Sequence, residues 1–192
     1  MKRRIMLDMD GVLCDFDHQV EFYKARKENG KCDWNLLKKI GASFWSSMPW
    51  IVEGHKLYNG VLELKKKYPD VEIGIASAIF LSCGKAGKRY WLEKNCPEID
   101  PKNVIITQKG IDKWLELDEG DILVDDKKEN VDLAKGVPEG RGVLFKDADS
   151  ALFFIQRILE DDRELDQLCI AHDEALEAGE IYRDRAPEDK HI

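Results

Sequence analysis

The sequence predicts an α/β fold, a Rossmann-like doubly wound parallel sheet with a small helical cap inserted after the first strand. Three observations carry the prediction. Five short, nearly all-apolar runs each end in polar residues, as strands buried on both faces do. Segments of helical character separate them. About 60 residues lie between the first run and the second, far more than one crossover helix needs. A chain of 192 residues, 43% hydrophobic and 9% aromatic, has the length for one domain with an insertion and enough apolar matter for a sizeable core.

The elements follow in order. Arg4–Met9 is the first strand, breaking into the polar loop that begins at Asp8 and Asp10. His18–Glu28 reads as a helix stopped by Asn29-Gly30, Cys32–Ile40 as a second short amphipathic piece, and GASFWSSMPW as an aromatic stretch. Leu57–Tyr68 returns the chain to the core. The later strands are Val71–Ala76, Val104–Thr107, Ile122–Val124 and Gly142–Phe145, with helices Lys85–Asn95 and Glu129–Lys135 among them. From Ser150, a suitable N-cap, to about Gly179, apolar residues recur at helical period (Leu152, Ile155, Leu159, Leu165, Leu168, Leu176). The last ten residues, RDRAPEDKHI, are expected to fray. The expected division is a core of residues 1–17 and 57–160, a cap of 18–56, and an acidic helix and tail of 161–192.

Charge narrows the partners. Lys and Arg number 30 against 38 Asp and Glu, a formal net of −8. All of the excess lies from Glu160 onward, where 12 acidic residues face 4 basic ones. A long basic surface for nucleic acid is therefore not expected, and any anionic ligand must be met by a local site. The five cysteines are scattered without a CxxC pair, which gives neither a disulfide framework nor a zinc cluster. No apolar run reaches the roughly 18 residues of a membrane span, and acidic residues follow the basic start too soon for a secretory leader. A cytoplasmic protein is expected, and a homodimer is left open.

Asp8 and Asp10 stand two apart at a strand end and point in the same general direction, where they repel each other. A hard oxygen-seeking cation such as Mg²⁺ relieves that repulsion, and Asp125 and Asp126 at a later strand end add to the demand. With the charge balanced, one carboxylate can attack phosphorus while another gives and takes a proton. Ser77 and a lysine between Lys109 and Lys113 suit the phosphoryl oxygens, Lys113 being preferred for its shorter connection to Asp125. The GKAGK run at 84–88 is not a phosphate loop, because Ser82 stands for the first glycine and Arg89 for the magnesium-binding hydroxyl.

The runs LDMDGVLCDF, IASA, a following lysine and DILVDD resemble, in order and spacing, the four motifs of the haloacid dehalogenase-like phosphohydrolases. The resemblance implies Asp8 as nucleophile, Asp10 as general acid and base, Ser77 and Lys113 as phosphate-binding groups, and Asp8, Asp10, Asp125 and Asp126 around Mg²⁺, with the backbone carbonyl of Asp10 as its contact. FWSSMPWIVEGHKLYNGVLELKKK, SAIF with GKRYWLEKN, and GDILVDDKKEN look like the 5′(3′)-deoxyribonucleotidase branch, in patches over approximately residues 1 to 160. That implies a nucleoside monophosphate substrate, its base held by Phe16, Phe44 and Trp45. Core packing is the plainer role for the cap aromatics, and Trp91 and Trp114 are expected to be structural. Rival expectations are a phosphatase for sugar phosphates or polynucleotide 3′ ends, and a non-catalytic module that engages a partner through its acidic tail.

Overall fold

The structure is a computed structural model that describes residues 3–177, with side chains as far as residue 163. Its contacts divide the chain after Gln156 into two units. The first contains a five-stranded sheet: β1 (Arg4–Leu7), β2 (Glu72–Ala78), β3 (Val104–Thr107), β4 (Ile122–Asp125) and β5 (Arg141–Leu144). All neighbours are parallel, in the order β3-β2-β1-β4-β5. This is the expected α/β class. β1 lies at the centre, and Ile5, Met6 and Leu7 have no exposed surface, each contributing about 1.5–3 kcal/mol by burial. An unbroken apolar run is what a strand covered on both faces requires.

From β1 the chain steps outward to β2 and β3, then returns to the other side of β1 for β4 and β5. With right-handed crossovers, this reversal puts the connecting helices on opposite faces and opens a crevice beyond the carboxyl ends of β1 and β4.

Four helices lie between β1 and β2: α1 (Phe16–Phe22), α2 (Trp34–Ile40), α3 (Ala42–Ser46) and α4 (Val52–Lys67). Asp15 caps α1 by accepting from the His18 amide, and Asp33 caps α2 by accepting from those of Asn35 and Leu36. α1 is shorter than the predicted His18–Glu28. At Lys24 the backbone takes φ +51° and the helix cannot continue. Arg26 then folds back on Glu21 (2.5 Å) and Asp17 (2.8 Å). Helix α5 (Ser82–Asn95) follows β2 and packs against α3 at close range. Gly87 permits the approach: a Cβ there would lie 2.3 Å from the Ala42 carbonyl oxygen and 2.8 Å from Trp45 Cβ.

A 3-10 helix, Gly110–Glu116, follows β3, and α6 (Lys128–Ala134) joins β4 to β5. Helix α7 (Ala148–Glu177) begins at Ala148, before the predicted cap Ser150. Asp147 caps it instead, accepting from the Ser150 amide (2.8 Å) and hydroxyl (2.9 Å). The second unit, as far as it is described, is the part of α7 beyond Gln156; in it Arg157 reaches Glu160 and Asp161 one turn on. The side chains of Leu165, Leu168 and Leu176, and the tail RDRAPEDKHI, lie outside the described residues. Among those described, no helix is long and apolar enough to cross a membrane, and Cys14, Cys32, Cys83 and Cys96 are free thiols.

Candidate active site

Asp8 follows β1 and Asp125 ends β4. Leu7 pairs with Val124 in the parallel register, and the Asp8 amide donates to the Val124 carbonyl at 2.9 Å, so the two carboxylates emerge side by side at the crevice. Both are buried, Asp8 at 4% exposure and Asp125 at zero. Asp126 reaches the same place from the exposed rim, and oxygens of Asp8, Asp125 and Asp126 lie within 4.8 Å of one another. Gly11 makes room for it. Its φ of +84° suits glycine, and a Cβ there would stand 2.5 Å from Asp126 Oδ2.

Lys113, from the 3-10 helix, bridges the two buried carboxylates: its Nζ is 2.8 Å from Asp8 Oδ2 and 2.7 Å from Asp125 Oδ2. Burial alone would lower the Lys113 pKa, but Asp8 and Asp125 together raise it above the ordinary value, so the ammonium stays charged. Asp125 also accepts from Asn130 Nδ2 with both oxygens (3.0 and 2.9 Å) and from the Lys127 amide (2.8 Å). Asp8 Oδ1 accepts from the Met9 amide at 2.7 Å. At Asp126 burial first, then the charges of Asp8 and Asp125, outweigh those of Lys127 and Lys113 and push its pKa up to about 6.

Asp10 belongs to a different group. Its Oδ2 accepts from Lys88 Nζ at 2.8 Å, and the same ammonium donates to Ser77 Oγ and to the Ala78 carbonyl oxygen, each at 2.8 Å. Lys88 and Ser77 are wholly buried. Asp10 Oδ1 is also buried and, among the described residues, is the one side-chain polar atom so enclosed that has no hydrogen-bond partner. The Asp10 carboxylate thus stands apart from Asp8, Asp125 and Asp126, because Lys88 holds it with Ser77; the contact to the ion that the resemblance implies for Asp10 is its backbone carbonyl.

Above Asp10 opens a cleft of about 400 Å³, lined by Phe16, Trp34, Trp45, Phe80, Gln108, Lys109 and Lys127 among others. Trp34 and Phe80 face each other with ring centroids 4.4 Å apart and planes at 34°. Trp45 lines the cleft and is nearly buried, whereas Phe44 is fully buried against Phe16, Tyr23 and Trp45. Phe44 thus does not face the cleft. It fills the space behind the wall, as the packing alternative for the cap aromatics has it.

Of the residues singled out from sequence, Asp8, Lys113, Asp125 and Asp126 come together in one group, Asp10 and Ser77 in a second beside it, and Phe16 and Trp45 at the cleft. Lys109 lines the cleft and is not part of the Asp8–Asp125 bridge. Lys88, Asn130, Trp34 and Phe80 were not foreseen. For Lys88 a signal existed: Gly84, Gly87, Lys88 and Trp91 share the buried face of α5 at helical spacing, and a lysine on such a stripe needs a partner.

No protein-family model matches the chain, and no curated protein matches it by sequence. Among solved structures, the HAD domain of the effector protein Lem4 from Legionella pneumophila is similar with a TM-score of 0.41 at 14% identity, over 76% of this chain and 86% of that one.

Proposed function

We propose that the chain is a phosphomonoesterase of the haloacid dehalogenase-like type that acts through a phospho-Asp8 intermediate on a nucleoside 5′-monophosphate. The observation that carries this reading is the separation of two carboxylates only two residues apart: Asp8 bridged to Asp125 by Lys113, and Asp10 held by Lys88 under an aromatic cleft. Two groups of one kind in unlike surroundings suit unlike roles.

The residues fit Mg²⁺. Asp8, Asp125 and Asp126 bring three negative charges against the single positive charge of Lys113, and all three offer hard oxygen donors. They would hold the ion, which when bound supplies neutralising charge at the phosphoryl oxygens.

The chain's own groups account for the proton and the bonds. An Asp8 oxygen attacks phosphorus; the new O–P bond forms as the bond to the leaving oxygen breaks, and that oxygen takes a proton from Asp10. Lys88 engages Oδ2 of Asp10, which leaves Oδ1, a buried oxygen without a hydrogen-bond partner, to carry that proton. Asp10 then accepts a proton from water, which attacks the same phosphorus, breaks the bond to Asp8 and releases phosphate. Lys113 turns from the carboxylates to the phosphoryl oxygens as these arrive, and the Ser77 hydroxyl donates to them. Phe16, Trp34, Trp45 and Phe80 offer flat rings for a base, where stacking contributes about 1–3 kcal/mol.

Phosphate release from deoxyuridine and thymidine monophosphates, glucose 6-phosphate and a 3′-phosphorylated oligonucleotide, with and without Mg²⁺, tests the reading. The nucleotides should be preferred, and Asp8→Asn should lower their turnover at least about a thousandfold without loss of fold. Preference for the sugar phosphate overturns the substrate assignment. Turnover by Asp8→Asn at the wild-type rate overturns the mechanism.

A further inference from the structure

Lys88 is a fully buried cation on α5, eleven residues after Ser77. Taking an ammonium out of water costs several kcal/mol unless its partners compensate. Here they do. An ammonium has three N–H bonds, and Lys88 has three acceptors at 2.8 Å: Asp10 Oδ2, Ser77 Oγ and the Ala78 carbonyl oxygen. The last is main chain at the end of β2, so the Nζ is pinned to the sheet itself. No proton remains for a substrate.

From this geometry, and resting on the phosphomonoesterase reading above, we infer that Lys88 is a positioning residue that sets Asp10 for proton transfer and Ser77 for phosphate binding from one buried point. It acts on each differently. Because Oγ of Ser77 accepts from Lys88, the hydroxyl's own proton is directed away from the ammonium, and the group is presented as a donor. Because Oδ2 of Asp10 is engaged, the carboxyl cannot rotate freely, and Oδ1 is the oxygen left without a partner. Gly84 and Gly87, on the same face of α5, hold that helix against Trp45 and Ala42, so the register that buries Lys88 also fixes the aromatic wall of the cleft.

A lysine that only offsets the charge of Asp10 would behave otherwise, and leaving-group dependence separates the two roles. Acid assistance matters for an alkoxide leaving group and little for a nitrophenolate. In single-turnover phosphorylation, Lys88→Met should lower the rate with deoxyuridine monophosphate about 100-fold and with 2,4-dinitrophenyl phosphate less than about tenfold, a ratio of at least about ten between the falls. Lys88→Gln keeps a donor but not the three-way contact, and should show the same ordering if the methionine variant fails to fold. Falls equal within about threefold overturn the assignment. If the wild type is phosphorylated by neither ester, the phosphatase reading is what fails. Lys88 is then judged by the crystal structure of Lys88→Met, or of Lys88→Gln: an Asp10 carboxylate displaced from Ser77 supports positioning, and one that stays in place refutes it.

Discussion

Replacing Lys113 with methionine keeps the length of the side chain and removes the charge that lies between Asp8 and Asp125. Lys113 is 2% exposed and its ammonium sits 2.8 and 2.7 Å from the two carboxylates, so water does not take its place without rearrangement. Asp8 keeps the Met9 amide; Asp125 keeps Asn130 and the Lys127 amide. What is lost is charge, not every donor. Removing one partner of a buried ion pair costs about 3–5 kcal/mol, and the surviving donors put this case near the lower figure. For a chain of this length about 3 kcal/mol corresponds to a fall in Tm of about 6–12 °C. Thermal unfolding followed by near-ultraviolet circular dichroism at neutral pH measures it. Adding Asp125→Asn, which removes one of the stranded charges, should recover at least about half of the fall. A Tm within about 2 °C of wild type, or no recovery in the double variant, would show that Lys113 does not neutralise the pair.

Gly11→Ala forces a side chain into a positive-φ position, at about 1–2 kcal/mol, and drives a methyl group against Asp126. Its Tm should fall by a few degrees, and the further rise that MgCl₂ gives the wild type should shrink; an undiminished rise would separate Asp126 from the ion. The pH dependence follows from Asp126, whose carboxyl is raised from 3.8 to about 6. The folded chain therefore holds that proton more tightly than the unfolded chain does, so its contribution to stability is full below about pH 4 and is lost as pH rises through about 6. Mg²⁺ competes with the same proton. The Tm increase given by Mg²⁺ should be larger at about pH 7.5 than at about pH 5, and equal increases would contradict the shift. Trp34→Ala removes one ring of the pair with Phe80 and should raise KM for the nucleotides severalfold while leaving glucose 6-phosphate unaffected.

The sheet was legible because its strands are buried on both faces and so are written as unbroken apolar runs, with β1 and β4 each ending where the carboxylates begin. The helix ends were less legible. At Lys24 a lysine adopts a left-handed conformation that composition does not announce, and at α7 two neighbouring candidates, Asp147 and Ser150, could each cap, the one hydrogen-bonding the other. The chemistry divides in the same way. Parallel register forces Asp8 and Asp125 together, so spacing from strand ends is enough to find them. Lys88 comes from the middle of a helix that also presents charged residues to solvent, and only its place on the Gly84–Gly87–Trp91 stripe marks it as buried.

Charge balance explains why a site of this kind needs more than a DxD motif. Asp8, Asp10, Asp125 and Asp126 cannot share one sheet edge unless cations divide them, and the two buried lysines do so unequally. Lys113 serves two carboxylates and leaves them in reach of Asp126, whereas Lys88 serves one and draws it away toward Ser77. The residual charge is then concentrated on the Asp8 side, where a divalent ion would be favoured. The two lysines thus turn a repulsive run of acids into two groups with separate work, and Lys88→Met and Lys113→Met should fail in different ways: the first in proton transfer, the second in stability and in the response to Mg²⁺.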